Sequence, residues 1–94
     1  MTARVLVADD SSTMRKIILR SLQAVGVPSA IEAADGAEAL SLFKRGEFDL
    51  VLTDWNMPKK NGLEVIQEIR KIDPDVKIIM VTTEAEKSRV LEAI

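Results

Sequence analysis

The chain contains no cysteine, which excludes a disulfide framework and any thiolate metal site and suits a reducing cytoplasm. It contains no histidine, so an imidazole or phosphohistidine that takes part in its chemistry must come from a partner. There is no basic run and the net charge is −2, a poor basis for direct nucleic-acid binding. No apolar stretch approaches the length of a membrane span. The start, MTARVLVADD, meets two acids too early to serve as a secretory signal. With 47% hydrophobic and 30% charged residues, the chain has enough apolar surface for a packed core, and disorder is not expected. Its 94 residues suffice for one small soluble domain.

What is present is an alternation of apolar runs and amphipathic stretches. Arg4–Ala8 (RVLVA) reads as a buried strand that ends in Asp9 and Asp10. Ser11 and Ser12 can cap the helix that follows, whose apolar stripe is Met14, Ile17, Ile18, Leu22 and Val25. Gly26 can close that helix in a left-handed conformation, and Pro28 prevents its continuation. Ser29–Ala34 is a weaker strand, and Glu32 within it suggests a sheet edge. Asp35 and Glu38 have capping-box spacing for a second helix, anchored by Leu40 and Phe43 and ending near Gly46.

Phe48–Thr53 is apolar without period-2 alternation, as expected of a central parallel strand buried on both faces, and it ends in Asp54. Asn61 and Gly62 open a third helix with Leu63, Val65, Ile66, Ile69 and Ile72 as its stripe; Asp73-Pro74-Asp75 is a turn. Lys77–Thr82 is another strand, ending in the hydroxyls of Thr82 and Thr83, and Glu84–Ile94 reads as a helix carrying Val90, Leu91 and Ile94. Four strand–helix units with short loops predict an α/β fold: a doubly wound parallel sheet with helical crossovers.

Open parallel sheets bind their ligands at the carboxyl ends of the strands. Three strands here deliver Asp9 and Asp10, then Asp54, then Thr82 and Thr83 to that edge. Successive residues of an extended strand point to opposite faces, so Asp9 and Asp10 converge only if the chain curls between them. Grouped carboxylates repel, and without a cation at least one of them has a raised pKa. A divalent ion resolves the repulsion, and hard oxygen donors favour Mg2+. A metal beside an ionised Asp also screens an incoming phosphoryl group, so that the carboxylate can attack as a nucleophile. The hydroxyl of Thr82 could then bond a phosphoryl oxygen. The alternative is that these residues are loop acids and helix caps that share no site.

The segments VADDSS (Val7–Ser12), TDWNMPKKNGLE (Thr53–Glu64) and IIMVTTEA (Ile78–Ala85) resemble the receiver domain of bacterial two-component response regulators, of the CheY-like chemotaxis type, along essentially the whole chain. The resemblance implies a flavodoxin-like (CheY-like) fold, whose full strand order in the family is 2-1-3-4-5. It implies that Asp54 accepts phosphate from a histidine kinase and that Thr82 is the switch hydroxyl. It further implies that Asp10 and Asp54 bind Mg2+ through their carboxylates and Asn56 through its main-chain carbonyl, while Asp9 holds a metal-bound water. Pro58 and Gly62 would shape the loop after the acceptor strand, and Asn56 sits where the family tunes phosphate loss. The kinase and the output or motor protein are not specified by the residues, and Lys59, Lys60 and Trp55 read as loop residues.

In that pattern a fifth strand, its following lysine and a fifth helix complete the receiver, so residues 1–94 are expected to form a C-terminally incomplete receiver with phosphorylation impaired by the absent lysine. The strand Lys77–Thr82 would then be an open edge, and a homo-oligomer is expected, centred on Ile78–Val81 and Val90–Ile94. Two other functions compete with the signalling one. A Mg2+-dependent phosphatase with an aspartyl nucleophile would usually carry a second acid where Asn56 stands. A purely structural, oligomerising module would carry out no phosphotransfer.

Overall fold

Backbone groups of buried segments must find partners, and the four apolar runs find them in one another. The computed structural model describes residues 3–54, 57 and 61–81. In chain order its elements are β1 (Val5–Ala8), α1 (Ser12–Ala24), β2 (Ile31–Ala33), α2 (Gly36–Leu42), β3 (Leu50–Asp54), α3 (Gly62–Ile72) and β4 (Lys77–Val81). The strands form one parallel sheet in the order β2-β1-β3-β4. The expected helix Glu84–Ile94 and the hydroxyls of Thr82 and Thr83 lie outside the described residues.

Alternation along the strands divides the core in two. Leu6, Ala8 and Val51 face α2 and α3, where they pack with Ala39, Phe43, Val65 and Ile69. Val5, Val7 and Leu52 face α1, where they meet Ile18. The chain reverses its direction across the sheet after β2, and the helices change face with it, as a single crossover hand requires. Phe43 and Phe48 stack with ring centroids 5.6 Å apart at the edge of the larger core.

The helix starts follow the sequence closely. Ser11 accepts the amide of Met14, and Asp35 accepts that of Glu38. At α3, Asn61 and Glu64 form a reciprocal capping box. In α2 the return bond shifts by one residue: Glu38 accepts from Ala34 rather than from the cap itself.

Other expectations need correction. The first two strands are shorter than read, and β3 starts at Leu50 but includes Asp54. Helix α2 ends at Leu42, because Phe43 takes an extended conformation and is buried in the core; Gly46, with φ 79°, lies in the turn beyond. The five-residue stripe of α1 is only partly used. Ile18 is buried and Leu22 half-buried on one ridge of the helix, whereas Ile17, a 100° step away, is 49% exposed. Met14 is exposed at the helix start, and Val25 is the C-cap, past the last turn, and is also exposed. Ile72 at the end of α3 is exposed as well. Among the described residues β4 is a terminal strand, and Ile79 on it is 53% exposed.

Asp73 ends α3 and ties it to the loop after α2. Its carboxylate accepts the amides of Asp75 at 3.0 Å and Gly46 at 3.5 Å. The Asp75 amide is the main reason its pKa is lowered; burial opposes it and the Gly46 amide assists.

Four substitutions have defined outcomes in urea unfolding. Leu6→Ala, at a fully buried position, should cost about 2–5 kcal/mol, whereas Ile17→Ala should stay within about 0.5 kcal/mol. Asn61→Ala should cost about 1 kcal/mol through its lost cap. Asp73→Asn should destabilise at neutral pH, with the difference from the parent fading as pH falls through the lowered pKa of Asp73, since the ionised form makes the stabilising bonds.

Candidate functional site

The pairing of β1 with β3 places the acids. Ala8 stands opposite Thr53, so the next residues along, Asp9 and Asp54, reach the carboxyl edge at the same level. The strand ends at Ala8 and the chain bends at Asp10, which supplies the curl that two successive acids need in order to converge. Carboxylate oxygens of Asp9, Asp10 and Asp54 all lie within 4.8 Å of one another. Asp9 is buried, Asp54 half-buried and Asp10 exposed, so the cluster opens to solvent on one side.

Asp9 is the most constrained member. Its amide donates to the carbonyl of Ala33 at 3.1 Å, continuing the β1–β2 ladder by one residue. Its Oδ1 accepts the amide of Ser11 at 2.8 Å, and its carbonyl accepts Nη1 of Arg15. Burial raises its pKa; the Ser11 amide opposes that shift, the neighbouring Asp10 carboxylate adds to it, and Arg15 opposes it. Behind Asp54, Thr53 is almost completely buried and its hydroxyl donates to the Asp54 carbonyl at 3.1 Å. Met57 is buried in the larger core.

Of the residues singled out in the sequence, the structure thus brings together Asp9, Asp10 and Asp54. Asn56 and Thr82 lie outside the described residues, as do Trp55, Pro58, Lys59 and Lys60. Arg15 was not among the residues read as functional. The signal for it was available: a cation in the first turn of α1, one turn beyond a pair of acids, where the helix dipole disfavours positive charge.

Two unit charges at this separation repel by about 3–4 kcal/mol at the effective dielectric of a protein surface. The donor set consists of hard oxygens. Octahedral Mg2+ holds its ligands at about 2.1 Å, so opposed ligands stand about 4.2 Å apart. Oxygens already within 4.8 Å need little movement to meet that requirement. The residues therefore fit a small divalent cation.

In the absence of divalent cations, Asp10→Asn should raise stability at neutral pH and low salt by about 1–2 kcal/mol, because it removes one charge from the repelling group. Added Mg2+ should raise the melting temperature of the parent chain and do so less for the variant. Equal melting curves for the two proteins with and without Mg2+ would contradict this electrostatic picture.

Comparison with known proteins agrees with the parallel α/β fold. The family model for the response regulator receiver domain matches residues 5–94. A chemotaxis protein CheY homolog from Campylobacter jejuni is 46% identical over 94 residues, a match covering 97% of this chain and 72% of that protein. The chemotaxis protein CheY-3 of Vibrio cholerae is 41% identical over 93 residues, covering 96% of this chain and 71% of that one. Among solved structures, the receiver (REC) domain of AraT, a response regulator from Geobacillus stearothermophilus, superposes with a TM-score of 0.86 at 34% identity, covering 99% of this chain and 74% of that one. Sheet order, site and matches lead to one assignment: this chain belongs to the response regulator receiver domain family.

Proposed function

We propose that this receiver domain accepts a phosphoryl group on Asp54 from the phosphohistidine of a partner histidine kinase, and so acts as a signalling module of a two-component system. The observation that carries the reading is the convergence of Asp9, Asp10 and Asp54 at one sheet edge in a chain of this family. A carboxylate oxygen of Asp54 attacks the phosphorus. The phosphorus–nitrogen bond breaks, the electron pair returns to the kinase imidazole, and an acyl phosphate forms on Asp54. Because this chain has no histidine, the donor imidazole is the partner's.

In this reading Asp10 and Asp54 hold Mg2+ through their carboxylates and Asn56 through its main-chain carbonyl, while Asp9 orients a water. When bound, the ion supplies charge neutralisation for an incoming phosphoryl group. Asp9 keeps the site polar from its buried position, and Ser11 fixes the Asp9 carboxylate. Thr82 is the hydroxyl that responds to phosphorylation.

Chemotaxis is the process to which the CheY relatives point, with an output or motor protein as the downstream partner. Cytoplasmic location belongs to the same reading; no helix among the described residues is long and apolar enough to cross a membrane. Self-association belongs to it too, with the outer edge of β4 around Ile79 as the contact.

Treatment with acetyl phosphate and Mg2+ should add the mass of one phosphoryl group to the intact chain. Asp54→Asn should abolish the label, and Asp10→Ala should abolish it together with the Mg2+ response of Trp55 fluorescence. Label retained in Asp54→Asn would refute the acceptor assignment. Sedimentation over a range of concentrations should show a dimer that Ile79→Lys weakens; a monomer at every concentration would remove self-association from the account.

A further inference from the structure

The geometry points to Arg15 as a positioning residue for the acid cluster, acting through the main chain of Asp9 and braced by Glu32 on β2. The inference rests on the reading above that this cluster takes Mg2+.

Arg15 lies in the first turn of α1, where the exposed amides of the helix start disfavour a cation, and that turn contains no acid to compensate. Its guanidinium turns back past the helix start. Nη1 donates to the carbonyl of Asp9 at 2.5 Å, and Nε donates to Oε1 of Glu32 at 3.1 Å. The Arg15 side chain is 16% exposed, against 55% for Arg4 and 75% for Lys71 in their ion pairs, while Glu32, at 43%, is as exposed as the acids of those pairs, so the guanidinium end is the shielded one. A planar guanidinium with donors in a fixed fork suits two acceptors on different elements, which a lysine ammonium does not reproduce.

The bonds close a frame around Asp9. Its amide is held by Ala33 on β2, its carbonyl by Arg15, and its Oδ1 by Ser11. Arg15 in turn donates its own amide to the carbonyl of Ser11. The segment from Asp9 to Arg15 is thereby locked to β2, and the bend that brings Asp10 toward Asp54 lies inside that locked segment. No bond of Arg15 to the carboxylates of the cluster is needed: the guanidinium sets where the carboxylates can go.

Positioning and simple charge predict opposite signs, which makes the idea testable. Removing a cation near an acidic site should by Coulomb's law strengthen Mg2+ binding. Removing a support of the ligand-bearing loop should weaken it, typically 10–100-fold for groups that orient metal ligands. The experiment titrates Mg2+ into the full chain and into Arg15→Met, Arg15→Lys and Glu32→Gln, by calorimetry and Trp55 fluorescence, with circular dichroism as the check on folding.

Arg15→Met should weaken Mg2+ binding by about tenfold or more. Arg15→Lys, which keeps the charge but not the fork, should lose nearly as much, and Glu32→Gln should lose less. In the metal-free proteins, amide exchange at Asp9 and Ser11 should accelerate in Arg15→Met while exchange at Val65 and Ile69 stays unchanged. Equal or tighter Mg2+ binding by Arg15→Met would overturn the inference. If that variant does not fold, unchanged affinity in both Arg15→Lys and Glu32→Gln would overturn it. A parent chain that binds no Mg2+ would overturn the metal reading and this inference with it, whereas a binding parent with equally binding variants would remove this inference alone.

Discussion

Like charges held close together are the constraint on which the site depends. Asp9, Asp10 and Asp54 offer oxygens within 4.8 Å of one another, an arrangement that isolated side chains in water would not keep. The sheet keeps it. The β1–β3 register carries Asp9 and Asp54 to one level, and apolar residues on both faces of those strands make a slip of register costly. Folding energy from the core thus maintains an electrostatically unfavourable edge, which the proposed divalent cation would relieve.

This division explains why the two ends of the sheet differ. At the amino edge, charged residues are paired or exposed: Arg4 bonds Asp49 through both its main chain and its side chain, which lowers the Asp49 pKa. At the carboxyl edge the balance is reversed, and burial raises the pKa of Asp9. The chain concentrates unfavourable charge at one edge, in line with the view that local rules are broken at functional sites and compensated elsewhere. Arg15, a cation at a helix start, is a second break of the same kind and lies beside the first.

Much of the fold was legible in the sequence because the apolar runs are short, unbroken and separated by caps. Arg4–Ala8 and Phe48–Thr53 declared themselves as buried parallel strands, which the structure places at Val5–Ala8 and Leu50–Asp54, and Ser11, Asp35 and Asn61 marked three helix starts that the structure shows. Less legible were features set by packing across the chain. The exposure of Ile17 and Met14 depends on how little of α1 the sheet covers, and the early end of α2 depends on Phe43 turning into the core. In the site, the three carboxylates were legible from their positions at strand ends. The bonds from Arg15 to the Asp9 carbonyl and to Glu32 were not, since they join residues 6 and 17 positions apart through a loop whose path no periodicity records.

The central claim is that these acids form one cation site at the carboxyl edge of the sheet. Paramagnetic broadening of backbone amide resonances by substoichiometric Mn2+ tests it most directly, because the effect falls steeply with distance from the ion. The account predicts selective broadening at Asp9, Asp10, Ser11 and Asp54, removed by excess Mg2+, with Arg4, Asp49, Asp73 and Lys77 at the opposite edge unaffected. Broadening spread over the surface acids, or centred on Asp49, Asp73 and Asp75, would contradict it.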